Sequence, residues 1–295
     1  MALGYEGYAS LKVDTLTNIA LCTGASVPKG RVSLESSSGY GGEIVGPTGM
    51  GIGLPEEYDW DIYDGSIDVD LSEDFYTNQI KEWIFNRQKA GVVTISTRNA
   101  SLQSFLKCYW NSISISSSEA SSVTASVGFV ALERNSYAIG GDYIGNKEGQ
   151  LTDNCAAWGG STGTNALNPG GSNINPIPYW NTFVEIDAIE VPFLNWTVDL
   201  SQEVVKFFSC EHNVNPVEPR FVAVGPMTVT FTGDYMFVDT GTFLSPDTLT
   251  SLYVNIGGDE LKMENLQLRN ENDAVQSQDA LVPISVEYAA FELVV

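Results

Sequence analysis

Residues 59–75 read DWDIYDGSIDVDLSEDF and carry seven carboxylates, those of Asp59, Asp61, Asp64, Asp68, Asp70, Glu73 and Asp74. Acids this dense could ligate a hard cation, act as an acid and base pair, or form a negative surface. Spacing separates the three. An EF-hand loop needs oxygen ligands at positions 1, 3 and 5, glycine at 6 and glutamate at 12. Counted from Asp59, position 5 is Tyr63, position 6 is Asp64 and position 12 is Asp70, with Gly65 one place late. No metal is expected. Paired-carboxylate catalysis needs two acids at a defined separation in a cleft, which nothing in this run specifies. The single histidine, His212, has no nucleophile motif beside it, so neither a Ser-His-Asp nor a Cys-His arrangement is supported. The Gly-rich piece SGYGGEIVGPTGMGIG at 38–53 lacks the spacing of a phosphate loop and its Lys-Ser/Thr ending. The chain is read as a non-enzyme without cofactor.

What remains is a face. From Ser66 to Ser72, period-two alternation puts Ile67, Val69 and Leu71 on one side and Asp68 and Asp70 on the other. Phe183-Val184-Glu185-Ile186-Asp187-Ala188 and Trp196-Thr197-Val198-Asp199-Leu200 repeat the idea. Asp68, Asp70, Glu185, Asp187 and Asp199 are therefore the candidate acids of a shared negative surface. The bland alternative is an ordinary sheet with one solvated side.

The elements that would carry such a surface are strands. GVVTIST (91–97), SVTASVGFVAL (122–132), TFVEIDAIEV (182–191), PMTVTFTG (226–233), DYMFVDTG (234–241) and ISVEYAAFELVV (284–295) are short β-branched and aromatic runs between turn residues. The expected class is mainly β with minor α. One segment departs from it. In SEDFYTNQIKEWIFNRQKA (72–90), Ile80, Trp83 and Ile84 recur at helical spacing. Ser72 can cap that helix, and Glu73 and Asp74 suit its positive end.

The whole chain has 295 residues, 43% hydrophobic and 17% charged, the composition of a folded protein. Its charge is one-sided, 37 Asp+Glu against 14 Lys+Arg, a formal net charge of -23. Such a field repels phosphate backbones and argues against specific nucleic-acid binding. The N-terminal residues lack a signal-peptide pattern and no apolar run reaches the roughly 20 residues of a membrane span, so a soluble chain is expected. Cys22, Cys108, Cys155 and Cys210 form no C-x-x-C pair and are read as free thiols.

Gly, Asn, Ser and Pro dominate 134–178, dividing a first β domain (1–133) from a second (179–295). The halves echo each other in order: Val69-Asp70-Leu71-Ser72 with Val198-Asp199-Leu200-Ser201, Gly91–Ser96 with Gly225–Thr230, and Ser126–Glu133 with Ser285–Glu292. Three matches in one order favour an internal duplication. The helix has its weakest echo, QEVVKFFSCEHN after Ser201.

In layout the chain resembles the tail tube proteins of tailed bacteriophages, in the class with a duplicated tube domain. The resemblance is carried by SIDVDLS, the helix FYTNQIKEWIFNRQK, GVVTISTRN, and the closing strands SVTASVGFVALE and ISVEYAAFELVV. It implies two tandem β-sandwich or partial-barrel domains, each with at most one flanking helix, whose strands join those of neighbours in a closed β-barrel ring. It further implies a trimeric, pseudo-sixfold ring stacked into a tube in the virion tail, assembled in the host cytoplasm. DNA and the tape measure protein would pass through its lumen, and a sheath would be an outer partner in a contractile tail. Residues 30–58 would be an arm bridging stacked rings. The alternatives are a β-sandwich binding or adhesion module, and a terminator or baseplate ring on the same domain.

Overall fold

The computed structural model describes residues 7–13, 16–27, 29–33, 59–97, 101–138, 143–145, 174–207, 221–236, 251–272 and 283–294. Most of the proposed arm, 34–58, and most of the middle segment, 146–173, lie outside them. The protein is mainly β, and its described residues form fifteen strands in one hydrogen-bonded system. They are β1 (Gly7–Val13), β2 (Leu16–Ser26), β3 (Lys29–Ser33), β4 (Asp59–Asp70), β5 (Gly91–Thr97), β6 (Ser101–Ser118), β7 (Thr124–Ala138) and β8 (Tyr143–Gly145). The second half adds β9 (Thr182–Ile186), β10 (Ile189–Val191), β11 (Phe193–Phe207), β12 (Phe221–Met236), β13 (Ser251–Ile256), β14 (Asp259–Asn272) and β15 (Pro283–Val294).

In the first half, β1-β5-β6-β7-β4-β2 closes on itself as a six-stranded barrel, because β6 pairs with both β5 and β7. Closure leaves fewer raw edges and encloses a core. Leu11, Ile67, Val69, Val93, Phe105 and Phe129 are at most 1% exposed within it. Phe105 stacks obliquely on Phe129 and Tyr63, with centroids 5.7 and 5.8 Å away.

The helical segment 73–85 covers the core side of the barrel. Ser72 Oγ accepts from Phe75 N–H at its start, and Glu73 and Asp74 occupy the first turn. The middle, Tyr76–Lys81, is π-helical, a widened turn that the 3.6-residue pattern does not foretell. Phe75, Tyr76, Ile80, Trp83 and Ile84 are all at most 1% exposed, and Gln79 Oε1 accepts from Val13 N–H at 3.3 Å. The helix also ties the halves together. Lys81 Nζ meets Asp259 at 2.6 Å, and Arg87 donates to the Gly225 carbonyl at 3.0 Å. The indole of Trp110 donates to the Trp83 carbonyl at 3.0 Å, and Gln202 Nε2 donates to the Trp110 carbonyl at 2.7 Å.

The second half runs β9-β13-β14-β15-β12-β11, the same order position by position as β1-β5-β6-β7-β4-β2. Local irregularities coincide too. Lys107 (φ 51°) and Asn265 (φ 55°) mark equivalent places in β6 and β14. The bulge at Trp110/Ser112 in the β6–β7 ladder recurs 158 residues on, at Leu268/Asn270 in β14–β15. The bulge at Cys22/Gly24 in β2–β4 recurs at Phe193/Asn195 in β11–β12.

This correspondence changes two of the three sequence alignments. Ser126 does face the same ladder as Ser285, but β4 corresponds to β12 rather than β11, and β5 to β13 rather than β12. Short alternating strands share letters whenever they share a buried face, which is why VDLS misleads. The sequence QEVVKF is the end of β11, not a helix remnant. The stretch between β12 and β13, 237–250, lies outside the described residues.

Described strands also reach into the middle segment. β7 runs on to Ala138 and pairs with β8, so the first half continues into the Gly/Asn-rich segment. At the other end of that segment, Ile177 is buried, donating to the Leu71 carbonyl and accepting from Val123 N–H. Residues 30–33 of the proposed arm belong to β3, paired on β4. The two runs read at 226–241 form one strand, β12, through Met236.

Candidate functional site

The acid run is a strand. Because Asp59–Asp70 is extended along its length, Asp64, Asp68 and Asp70 are spread along one side of it. Among the described residues, no group of three or more His, Cys, Asp or Glu is arranged to hold a metal. His212 lies outside the described residues.

The halves meet where Ser112–Ser118 of β6 pairs with Asn195–Ser201 of β11. Through that seam, β4-β7-β6-β11-β12-β15 becomes one continuous sheet. Its registers define rows across six strands. One row is Val69, Ala125, Ile115, Val198, Phe231 and Tyr288, and the next is Ile67, Val127, Ile113, Leu200, Val229 and Ala290. All but Ala290 are buried, and burying each large aliphatic is worth roughly 1.5–3 kcal/mol. This is the core face.

The other face carries polar rows. One row reads Asp68, Ser126, Ser114, Asp199, Thr230 and Ala289; its neighbour reads Asp70, Thr124, Ser116, Thr197, Thr232 and Glu287. Asp64, Asp68, Ser126, Asp199, Ser201 and Thr228 are exposed. The hydroxyls brace one another across strands. Ser116 meets Thr124 at 3.0 Å and Ser201 meets Thr228 at 2.7 Å. Asp234 accepts from Asn195 at 2.9 Å and from Ser285, and Asp70 accepts from Ser122 at 3.1 Å. No lysine or arginine occurs in 64–70, 112–132, 195–205, 221–236 or 283–294. Along these rows the face holds acids and small hydroxyls without lysine or arginine, and its potential there is negative; beyond them, Lys206 of β11 feels the charge of Asp64, and Val130, Leu132, Tyr109, Val204 and Val222 form an apolar patch.

Asp68 and Asp199 lie three strand spacings apart, about 14 Å at ~4.8 Å each. That is beyond the range for two carboxylates to act as one acid and base pair. The arrangement suits a distributed field better than a reaction centre.

Of the five candidate acids, the structure brings Asp68, Asp70 and Asp199 onto this face. Glu185 and Asp187 are elsewhere. Glu185 pairs in register with Tyr253, beside Lys262, whose ammonium lies 5.3 Å from the Tyr253 ring and 2.5 Å from Glu264. Asp187 is in the β9–β10 turn with φ 50°, and its carboxylate accepts from Ser251 N–H at 2.9 Å. A turn-capping aspartate mimics strand alternation in sequence because it follows Ile186 directly. Sequence reasoning missed Asp64, Asp234, Glu287 and the hydroxyl rows. The signal was present as period-two Ser/Thr in SISISSS (112–118) and TVTFTGD (228–234).

A second feature lies beside the seam: a cleft of about 160 Å³ lined by Tyr179, Trp180, Phe183, Glu190, Phe193 and Trp196, among others. Trp180 is 75% exposed and stands edge-on to Tyr179, centroids 5.4 Å apart. Comparison with known families and with curated proteins finds no family model and no curated protein that matches this chain.

Proposed function

We propose that this chain is a non-enzymatic structural protein of a phage virion that self-assembles into stacked rings, forming a tail tube with an acidic inner wall. One observation carries the reading: a six-stranded sheet with a continuous apolar face against the core and, on the other side, two adjacent rows of acids and hydroxyls that cross the strands without a lysine or arginine. A wall of that kind repels a polyanion along its whole length, so DNA slides past without sticking. The shared strand order and the coincident bulges support a duplicated tube domain. Three such chains would then form a pseudo-sixfold ring, with the tape measure protein and DNA in its bore and, in a contractile tail, a sheath outside. The place of action would be the virion tail, after assembly in the host cytoplasm.

Negative-stain electron microscopy of the purified protein at rising concentration tests this. Rings or hollow tubes are expected, and a dispersed monomer at every concentration would overturn the reading. A second reading, a carbohydrate-binding module, is favoured by the exposed Trp180 at the rim of the aromatic cleft. Saccharide binding lost in Trp180→Ala, in a chain that never assembles, would replace the first reading with it. A terminator or baseplate ring would give rings that do not stack.

A further inference from the structure

We infer that the free edge of β14 in one copy of this chain pairs antiparallel with the β2–β3 edge of the next copy, in the register that β6 and β11 already use within the chain. The inference rests on the ring-forming reading above and specifies its joint.

The internal seam supplies the template. β6 divides one edge between two partners: Leu102–Cys108 lies along β5, and Ser112–Ser118 lies along β11. The changeover is marked by Lys107 at φ 51° and the bulge at Trp110/Ser112. β14 is built the same way. Asp259–Glu264 lies along β13, Asn265 follows at φ 55°, and the bulge comes at Leu268/Asn270. Beyond Glu264, however, that edge has no partner strand among the described residues.

The other side of the seam has a matching counterpart. β11 lies along β12, and its second edge takes β6 at Asn195–Ser201. β2 and β3 lie along β4 as β11 lies along β12, with Cys22/Gly24 matching Phe193/Asn195 and the pair Lys29–Tyr63 matching Leu200–Val229. Among the described residues, β1 covers the second edge of β2 as far as Cys22. Past that residue the edge is without a strand among the described residues.

The sheet β3/β2-β4-β7-β6-β11-β12-β15-β14 thus ends, on its two sides, in the two halves of a joint that its own middle shows completed. An uncovered row of backbone N–H and C=O groups is a template for another strand. Because the two edges differ, the contact is head-to-tail, the type that closes into a ring when the rotation allows. Transferring the internal register is specific. Ser112 opposite Ser201 becomes Asn270 opposite Gly30, and Ile113 opposite Leu200 becomes Glu271 opposite Lys29. The transferred register therefore sets a lysine position of one copy opposite a glutamate position of the next, a favourable cross-strand combination of residue types.

The test uses the full chain. Lys29→Glu and Glu271→Lys are each expected to raise the concentration needed for half assembly by roughly 5-fold, and the double exchange to restore it. Circular dichroism of each variant confirms that the fold is kept. Independently, Gly30→Cys with Asn270→Cys is expected to give a ladder of covalent oligomers under oxidation that neither single variant nor the wild type gives. If the wild type assembles but the reversals leave assembly unchanged and the paired cysteines give no ladder, the joint is wrong while the ring reading survives. If the wild type never assembles, both fall.

Discussion

Removing the Trp83 side chain should loosen the joint between barrel, helix and second half more than any surface change. Trp83 is fully buried, its ring lies against Gly91, and its indole donates to the Lys89 carbonyl at 3.3 Å. A buried tryptophan covers roughly 150–250 Å², and truncation to alanine leaves a cavity costing about 3–5 kcal/mol. The long indole hydrogen bond adds little to that. Against a typical folding stability of about 5–15 kcal/mol, this is roughly a fifth or more of the total. At about 2–4 °C per kcal/mol for a domain of this scale, Trp83→Ala should melt roughly 10 °C below the wild type. Trp180→Ala is the matched control, since that side chain is 75% exposed and should change the midpoint by no more than a degree or two. Thermal unfolding followed by circular dichroism reads both. Equal shifts for the two variants would refute the claim that Trp83 is a keystone of the packing.

Three further outcomes follow from the same geometry. Burial alone would raise the Asp259 carboxyl, but hydrogen bonds from Lys81 and Thr77, the Lys81 charge and the Glu260 N–H outweigh it and hold the pKa below its ordinary value. A depressed carboxyl stabilises the fold above the unfolded pKa near 3.8 and loses that contribution as pH falls through the folded value. The melting temperature of the wild type should therefore fall more between pH 6 and pH 3 than that of Asp259→Asn, and parallel curves would contradict the link. Gly233→Ala should cost about 1–3 kcal/mol in urea unfolding, because the added carbon would sit 2.6 Å from the Phe193 ring and 3.0 Å from the Asn195 carbonyl; an unchanged midpoint would show that the ring gives way freely. Asp68→Lys with Asp199→Lys should keep its stability within about 0.5 kcal/mol, both positions being exposed, yet acquire salt-sensitive binding to duplex DNA. Fluorescence anisotropy at low salt reads it, and failure of the variant to bind would count against a face tuned by charge.

Much of the fold was legible. Alternation gave the strands β4, β5, β7 and β15, and the spacing of Ile80, Trp83 and Ile84 gave the helix, because each element buries one face and exposes the other. The π-helical turn at Tyr76–Lys81 was not legible, since it answers to Gln79 reaching the Val13 N–H across 66 residues. Pairing was the harder part. VDLS at 69 and 198 aligned strands that sit at different positions in the two halves, whereas the bulges and positive-φ residues that reveal the true correspondence have no sequence signature of their own. For the candidate face, Asp68, Asp70 and Asp199 could be found by looking for acids. Ser114, Ser116, Thr230 and Thr232 could not, because a hydroxyl row acquires meaning only when registers place it beside acids without a cation.

The measurement that bears most directly on the central claim is a cryo-electron microscopy reconstruction of the assembled protein, asking which residues line the bore. The account predicts a hollow assembly whose inner surface carries Asp68, Asp199, Ser114 and Thr230, with the helix 73–85 on the outer side of the sheet. A bore lined by the helix, or a protein that yields no hollow assembly, would contradict it.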